Sequence, residues 1–163
     1  WYKEANIFCV NLSKKYDIDI FKIASVLSAL SPRNKWEQNK KDTIKVIEAY
    51  LNNISPDNIK VCTFHKNKYK AFDILNDKQS IKKHSPKTFA FLQNIAYLNS
   101  NFVTVDVWHL RACFDKMIFK SSLTLKQYKQ IENITIKIAN KHDIKGYQFQ
   151  AIVWEQIRNN YKY

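Results

Sequence analysis

Glycine is almost absent from this chain of 163 residues, with one residue at Gly146, and proline occurs three times. Glycine supplies the positive φ angles of tight hairpin turns and the close backbone approach of phosphate-binding loops. Its scarcity argues against a hairpin-rich β protein, a glycine-rich phosphate loop and a dinucleotide-binding fold. The remaining expectation is a chain built from helices.

Apolar residues recur at helical spacing along most of the sequence. Ala5, Phe8, Cys9, Leu12 and Tyr16 fall at i, i+3, i+4, i+7 and i+11, on one face of a helix. The β-branched run 101–105 has no partner strand in view, so we interpret it as an extended approach to the next helix. The expected fold class is all-α. Further helices are expected near 20–30, 44–51, 72–75, 87–96, 107–118, 124–141 and 147–161.

The chain carries 27 Lys and Arg against 14 Asp and Glu, a net charge of +13. Such a charge favours an anionic partner, and nucleic acid is the leading candidate. The alternative is a solvated lysine surface, because abundant Asn, Lys and Ile indicate an AT-rich coding sequence that would itself raise the lysine count. At this length the residues 1–163 are expected to form one domain with a single core.

Cysteine and histidine show no metal-binding pattern. Cys9, Cys62 and Cys113 lie far apart, without a CxxC pair, and the four histidines are scattered. Neither a metal nor another cofactor is expected, and buried thiols predict a reducing compartment, the cytoplasm or the nucleoid. No stretch approaches about 18 apolar residues, so no membrane span or membrane partner is expected. The protein is expected to be a monomer.

A lysine and an aspartate each open a helical pattern, nineteen residues apart. Lys87 follows Ser85-Pro86, and Asp106 stands among Val103, Val105 and other apolar residues. A lone carboxylate in such surroundings is partly desolvated, which costs free energy unless it caps a helix or has a chemical role. The purely structural interpretations are a helix N-cap for Asp106 and a solvated lysine for Lys87.

The segment from Lys87 to Arg111 resembles the helix–hairpin–helix superfamily of DNA glycosylases, which includes the 8-oxoguanine and endonuclease III-type enzymes. In that superfamily a hairpin ending in Gly-x-Lys-[Thr/Val] precedes a helix and then the motif Val-Asp-[Thr/Val]-His-x-x-Arg. Lys87-Thr88 is similar to the lysine of bifunctional members, and Val105-Asp106-Val107 is similar to the aspartate motif at the same spacing. Arg111 also matches, whereas Trp108 stands where a histidine is frequent.

Earlier segments extend the resemblance to residues 25–111. Residues 25–31 resemble a helix that ends in Leu-Ser-Ala-Gln, with Leu30 in place of the glutamine, and residues 66–71 are similar to a Lys-Ala helix start. The superfamily hairpin Leu-Pro-Gly-x-Gly is replaced by residues 81–86, which contain no glycine. Glycine allows the backbone to approach a phosphate closely, so side chains such as Lys82, Lys83 and Ser85 would have to replace that anchor.

The resemblance implies a two-lobed helical fold with a cleft that excises a damaged or modified base from DNA by base flipping. It implies that Asp106 stabilises positive charge on the sugar and that the amine of Lys87 forms a Schiff base in an AP-lyase step. The loop 31–39 is expected to enter the duplex, with Leu30 and Arg33 as wedge residues. Contacts with DNA are expected from Leu30, Arg33, Asn34, Lys68, Lys82, Lys83, Ser85 and Arg111.

An extruded base needs flat side chains on both faces and a polar group at its edge. By residue type, Trp36, Trp108 and Phe149 are candidates for the base pocket, with Gln148 at the base edge. The structural alternative is core packing for the aromatic residues and exposure for the glutamine. Two rival functions stay open: a non-catalytic nucleic-acid-binding domain, and a phage-encoded enzyme that acts on a hypermodified base.

Overall fold

The computed structural model describes residues 1–114 and 123–160, with side chains up to Ile157 in the last helix. Within these ranges the chain forms eight α-helices, one 3-10 turn at Pro56–Asn58 and no strand, which confirms the all-α prediction for the described residues. The helices are α1 (Tyr2–Tyr16), α2 (Ile20–Leu30), α3 (Trp36–Leu51), α4 (His65–Leu75), α5 (Pro86–Ala96), α6 (Val107–Cys113), α7 (Leu125–Asn140) and α8 (Gly146–Asn160).

Several expected element boundaries differ from the structure, and one of them is the start of α4, which lies at His65 rather than near Phe72. The loop expected over 31–39 ends at Lys35, because Trp36 already begins α3. The helix expected over 107–118 ends at Cys113, with Phe114 as its C-cap in an extended conformation. The rest of that expected helix falls on residues 115–122, outside the described residues.

The chain divides into two compact units, which we describe separately. The middle unit comprises Glu4–Lys82, and the terminal unit comprises Trp1–Lys3 with Lys83–Tyr163. No helix in the described part of the chain is long and apolar enough to span a bilayer.

Helix α2 forms the centre of the middle unit. The carboxylate of Asp19 caps it by accepting hydrogen bonds from the amides of Phe21 (2.9 Å) and Lys22 (3.1 Å). Every residue from Ile23 to Leu30 is buried, and the helix packs against α3 and α4. Burial of each large apolar side chain contributes about 1.5–3 kcal/mol, so this helix supplies much of the unit's stability.

A buried carboxylate fixes the loop between α2 and α3. Asp42 accepts hydrogen bonds from the side-chain amides of Asn34 and Gln38, both at 2.9 Å. It also accepts from the backbone amide of Cys62 at 2.8 Å. Asp42 therefore joins the loop after α2 to the segment that leads into α4.

The core of the terminal unit is formed by α6, α7 and α8 together with the extended run 103–105. Gly146 stands where α8 begins, and a Cβ there would lie 2.9 Å from side-chain atoms of both Ile136 and Val103. The glycine is thus required by close packing rather than by its backbone angles. Thr124 and Gln127 start α7 with a capping box.

Candidate active site

Asp106 is the N-cap of α6. Its backbone is extended (φ −103°, ψ −178°), and its Oδ1 accepts a hydrogen bond from the amide of His109 at 2.8 Å. Such a cap contributes about 1 kcal/mol. The interpretation of Asp106 as a helix N-cap is therefore confirmed. Any chemical role would use the same carboxylate that caps the helix.

The surroundings of the Asp106 carboxylate are unusual for a surface cap. The residue is half-buried, and burial raises its pKa above the ordinary value for an aspartate. The hydrogen bond from His109 and the positive charge of Lys87 oppose that rise without cancelling it. Lys87 is exposed in the first turn of α5. The fold of the terminal unit therefore brings Lys87 within electrostatic range of Asp106, across nineteen residues of sequence.

The residues before α5 offer cations and a hydroxyl near Lys87. Lys82 and Lys83 are exposed. Ser85 is the half-buried N-cap of α5, and its side chain makes no capping hydrogen bond.

A buried polar network lies beside Asp106 that sequence reasoning missed. The hydroxyl of Tyr2 lies 2.9 Å from Oγ1 of Thr104 and 3.0 Å from Oε1 of Gln150. Asn94 donates its side-chain amide to the same Thr104 oxygen at 3.3 Å. Burial, with a smaller contribution from the charge of Asp106, raises the pKa of Tyr2 above its usual range. No sequence pattern marked this network, because its members lie on four separate segments.

Two of the expected DNA contacts are wrong because their side chains are buried. Leu30 is fully buried in the core of the middle unit and presents no surface to a duplex. Lys68 is also buried, and its ammonium donates a hydrogen bond to the carbonyl of Ile59 at 2.9 Å. Asn34 is half-buried and uses its amide on Asp42 and on the Leu30 carbonyl, which indicates a structural role.

Arg33 remains available as a surface contact in the middle unit. It is exposed and has a positive φ of 56°, a conformation that costs free energy for a residue other than glycine. Its guanidinium carbon lies 5.3 Å from the ring centre of Phe64, and the ammonium of Lys66 lies 5.8 Å from that centre. Phe64 is 45% exposed, whereas Leu30 is buried. The exposed apolar side chain next to Arg33 is therefore Phe64 and not Leu30.

The four candidates for a base pocket are divided between the two units. Trp36 belongs to the middle unit, where its ring meets Phe8 edge-on at 6.5 Å. In the terminal unit, Trp108 stacks beneath Arg111 (4.6 Å) and Phe149 stacks on His142 (6.4 Å). The four residues therefore do not line one pocket within either unit.

The side chain of Gln148 has a structural use. Its Oε1 accepts a hydrogen bond from the backbone amide of Lys145 at 2.8 Å, and this bond caps the start of α8. The same residue lines a pocket of about 320 Å³ in the terminal unit, whose other walls include Tyr2, Tyr147 and Ile152. Neither Trp108 nor Phe149 lines this pocket, so it is not the predicted base sandwich.

His109 on α6 is a buried packing residue. Its Nε2 lies 2.9 Å from Oγ1 of Thr135, whose hydroxyl donates to the carbonyl of Ile131. Because the Thr135 hydroxyl is already used as a donor, the imidazole donates to it through Nε2. Burial lowers the pKa of His109 to about 4.

We expect His109 to make the protein acid-sensitive. Its folded pKa lies below the unfolded value of 6.5, so stability is complete above about 6.5 and is lost as the pH falls toward about 4. The loss should be about 1.4 kcal/mol for each pH unit in that window. The pKa of Asp106 is raised, so this residue makes the folded state more stable as the pH falls. A comparison of variants therefore separates its effect from that of His109.

Urea unfolding at several pH values measures this dependence. His109→Gln should flatten the acid limb, whereas His142→Gln, at an exposed position, should leave it unchanged. The same acid limb in wild type and His109→Gln would contradict the assignment.

Comparisons with known proteins place the chain in a family. A search of the curated proteins finds no match, and a search of the solved structures finds none. The family that matches does so over residues 1–161, a span that includes Lys87, Asp106 and all eight described helices. Since that match covers far more than half of the chain, the protein belongs to the family of unknown function DUF7178.

Proposed function

We propose that this chain is a DNA glycosylase that excises a damaged or modified base, with an AP-lyase step carried by Lys87. One observation supports the proposal most strongly. A half-buried carboxylate with a raised pKa, Asp106, lies within electrostatic range of an exposed amine, Lys87, at the starts of two neighbouring helices of one unit.

The chemistry needs both groups. As the bond between sugar and base breaks, positive charge develops on the sugar, and a carboxylate in a partly desolvated place stabilises that charge. The amine of Lys87 can attack the same sugar carbon as the base leaves, which forms a Schiff base that permits elimination of the 3′ phosphate. Lys87 is exposed and can reach an extruded nucleotide, whereas the capping bond from His109 holds Asp106 in place.

Charged surfaces on both units fit a DNA partner. Lys82, Lys83 and Lys87 lie exposed around the start of α5. In the middle unit, the exposed ring of Phe64, near both Arg33 and Lys66, replaces Leu30 as the side chain suited to stack in a duplex. The proposal includes a monomer that works without a cofactor in the cytoplasm or nucleoid.

Two other functions share part of this support. A non-catalytic nucleic-acid-binding domain is favoured by the capping role of Asp106, which by itself accounts for an aspartate at this position. An enzyme of phage origin that acts on a hypermodified base would use the same carboxylate and amine on a different base. Base release separates the first alternative from an enzyme, and the identity of the released base separates the second.

Borohydride trapping on duplex oligonucleotides tests the proposal. The panel carries 8-oxoguanine, oxidised pyrimidines, uracil, hydroxymethyluracil and an abasic site, one lesion per duplex. We expect base release from at least one duplex and a covalent protein–DNA adduct after reduction. If no duplex loses a base or forms an adduct while DNA still binds, the non-catalytic interpretation replaces the enzyme.

Affinity for duplex DNA should fall steeply with salt. With about four to six phosphate contacts, the slope of log affinity against log salt should be roughly −3 to −6. The double variant Lys82→Gln/Lys83→Gln should reduce the slope by about 2, since each lost phosphate contact removes about 1. The charge-matched control Lys14→Gln/Lys137→Gln changes exposed lysines of α1 and α7 and should not alter it. A flat salt response of the wild type would argue against DNA as the partner.

A further inference from the structure

The extended run 103–105 leads into Asp106 without a neighbouring strand in the part of the chain that the structure describes. Buried backbone groups need hydrogen-bond partners, so the partners of this run must come from elsewhere. Part of the requirement is met locally, by bonds from the amide of Val105 to the carbonyl of Val103 (3.1 Å) and from the amide of Asp106 to the carbonyl of Thr104 (2.9 Å).

Helix α7 supplies the other partners through its side chains. The hydroxyl of Tyr128 accepts a hydrogen bond from the amide of Val105 at 3.2 Å and donates one to the carbonyl of Val103 at 2.7 Å. The carboxylate of Glu132 accepts from the amide of Val103 at 3.2 Å. Tyr128 and Glu132 are one turn apart on α7, and both are buried. Their side chains therefore take the place of a partner strand.

Thr104, between Val103 and Val105, is held by side chains that do not belong to α7. Thr104 is buried, and its hydroxyl oxygen meets Tyr2 and the side-chain amide of Asn94. Val103 and Val105 instead join Leu110 and Tyr128 in the apolar core. The three residues before Asp106 are thus fixed on both faces, which leaves the carboxylate little freedom at the start of α6.

We infer that Tyr128 is a positioning residue for Asp106, and that its hydroxyl holds the 103–105 backbone so that the carboxylate stays half-buried at the start of α6. The inference deepens the proposed function, and it rests on that function only for its activity readout. Tyr128 is the better single site for a test, because Glu132 contacts Val103 alone on this run and also pairs with Lys129.

Phenylalanine at this position isolates the hydroxyl. In Tyr128→Phe the ring can keep its place in the core while both backbone hydrogen bonds are lost. The matched control is Tyr147→Phe, which removes another tyrosine hydroxyl of the same unit, one that is partly buried and donates to the carbonyl of Leu98. Both variants lose a hydrogen bond to a carbonyl, but only the first touches the run before Asp106.

The direct readout is the titration of the Asp106 carboxyl carbon by NMR, assigned with Asp106→Asn. The titratable groups around Asp106 are Lys87 on α5, Tyr2 on α1, Tyr128 on α7 and His109 on α6, and Glu132 on α7 bonds the nearby amide of Val103. Because Tyr128→Phe changes no charge at neutral pH, a shifted midpoint reports movement of the carboxylate or its exposure. We expect the midpoint to move down toward the ordinary aspartate value in Tyr128→Phe and to stay unchanged in Tyr147→Phe.

Activity gives the second readout. Base release by Tyr128→Phe should fall about 10- to 100-fold with little change in DNA affinity, as expected when a reacting group is misplaced by a fraction of an ångström to an ångström. If the wild type releases no base from any duplex, the proposed function fails, while the titration still decides the positioning role.

Amide hydrogen exchange on the unmodified protein tests the inference even if Tyr128→Phe does not fold. The amide of Val105 lies outside any helix and should nevertheless exchange slowly with solvent, because it is buried and bonded to the Tyr128 hydroxyl as well as to the carbonyl of Val103. Rapid exchange at Val105, or an unchanged Asp106 midpoint in a folded Tyr128→Phe variant, would overturn the inference.

Discussion

Asp106→Asn is expected to lower the rate of base release by about 10²- to 10³-fold, the loss typical when one preorganised electrostatic group is removed from a reacting centre. The amide keeps the shape of the side chain and its capping oxygen but not its charge. The bond from the His109 amide can therefore persist, whereas the positive charge that develops on the sugar is no longer balanced.

Stability should change little in the same variant. Asparagine caps helices about as well as aspartate, so the free energy of unfolding should stay within about 1 kcal/mol of the wild type. Burial raises the folded pKa of Asp106, so its ionisation opposes folding above the unfolded pKa, and the uncharged variant is free of that cost. Loss of activity in a stable protein would thus separate chemistry from capping.

A matched control exists on the other unit. Asp19 caps α2 through bonds from two backbone amides, so Asp19→Asn repeats the same chemical change at a helix cap of the middle unit. Its base release should equal that of the wild type. Equal release by wild type and Asp106→Asn would remove Asp106 from the reaction and leave it as a cap.

Lys87→Gln is expected to abolish the borohydride-trapped adduct completely, because a Schiff base requires a primary amine. The first turn of α5 places this amine near Asp106, and the residue is exposed, so glutamine should leave the fold intact. The adduct is measured as a shifted band on a denaturing gel, on whichever duplex the wild type attacks.

Lys83→Gln is the control for general loss of charge beside the site. Lys83 is exposed four residues earlier, and its variant should still form the adduct. An adduct that survives in Lys87→Gln but not in Lys83→Gln would move the nucleophile to Lys83. Base release by the wild type without any adduct would make the protein monofunctional, with Lys87 as a group that only binds DNA.

Much of the helical architecture is encoded locally. The spacing of Ala5, Cys9 and Leu12 predicts a helix that the structure contains as α1, and the scarcity of glycine predicts a fold without hairpins. Such features follow from backbone hydrogen bonds between residues a few positions apart, which a sequence pattern records directly. Asp106 at a helix start is of the same kind, since a cap bonds only to the next turn.

Exposure, in contrast, was decided by packing. Leu30 and Lys68 were expected at the DNA surface, yet both are buried, and Phe64 is exposed although nothing in its own neighbourhood required it. A side chain's accessibility depends on which other helices cover it. That information is spread over distant residues and has no local pattern.

The approach to Asp106 shows both contributions within a few residues. The β-branched run 101–105 predicted an extended approach to α6 without a partner strand; the run lies outside any helix, and the described residues contain no strand. That Tyr128, twenty-three residues after Val105, would satisfy its backbone could not be read from the run itself. Sequence alone indicated most of the helical segments and placed Asp106 and Lys87 at helix starts. Only the tertiary structure decided that the positive charge of Lys87 acts on the Asp106 carboxylate, because burial and electrostatic range depend on distances that the fold sets.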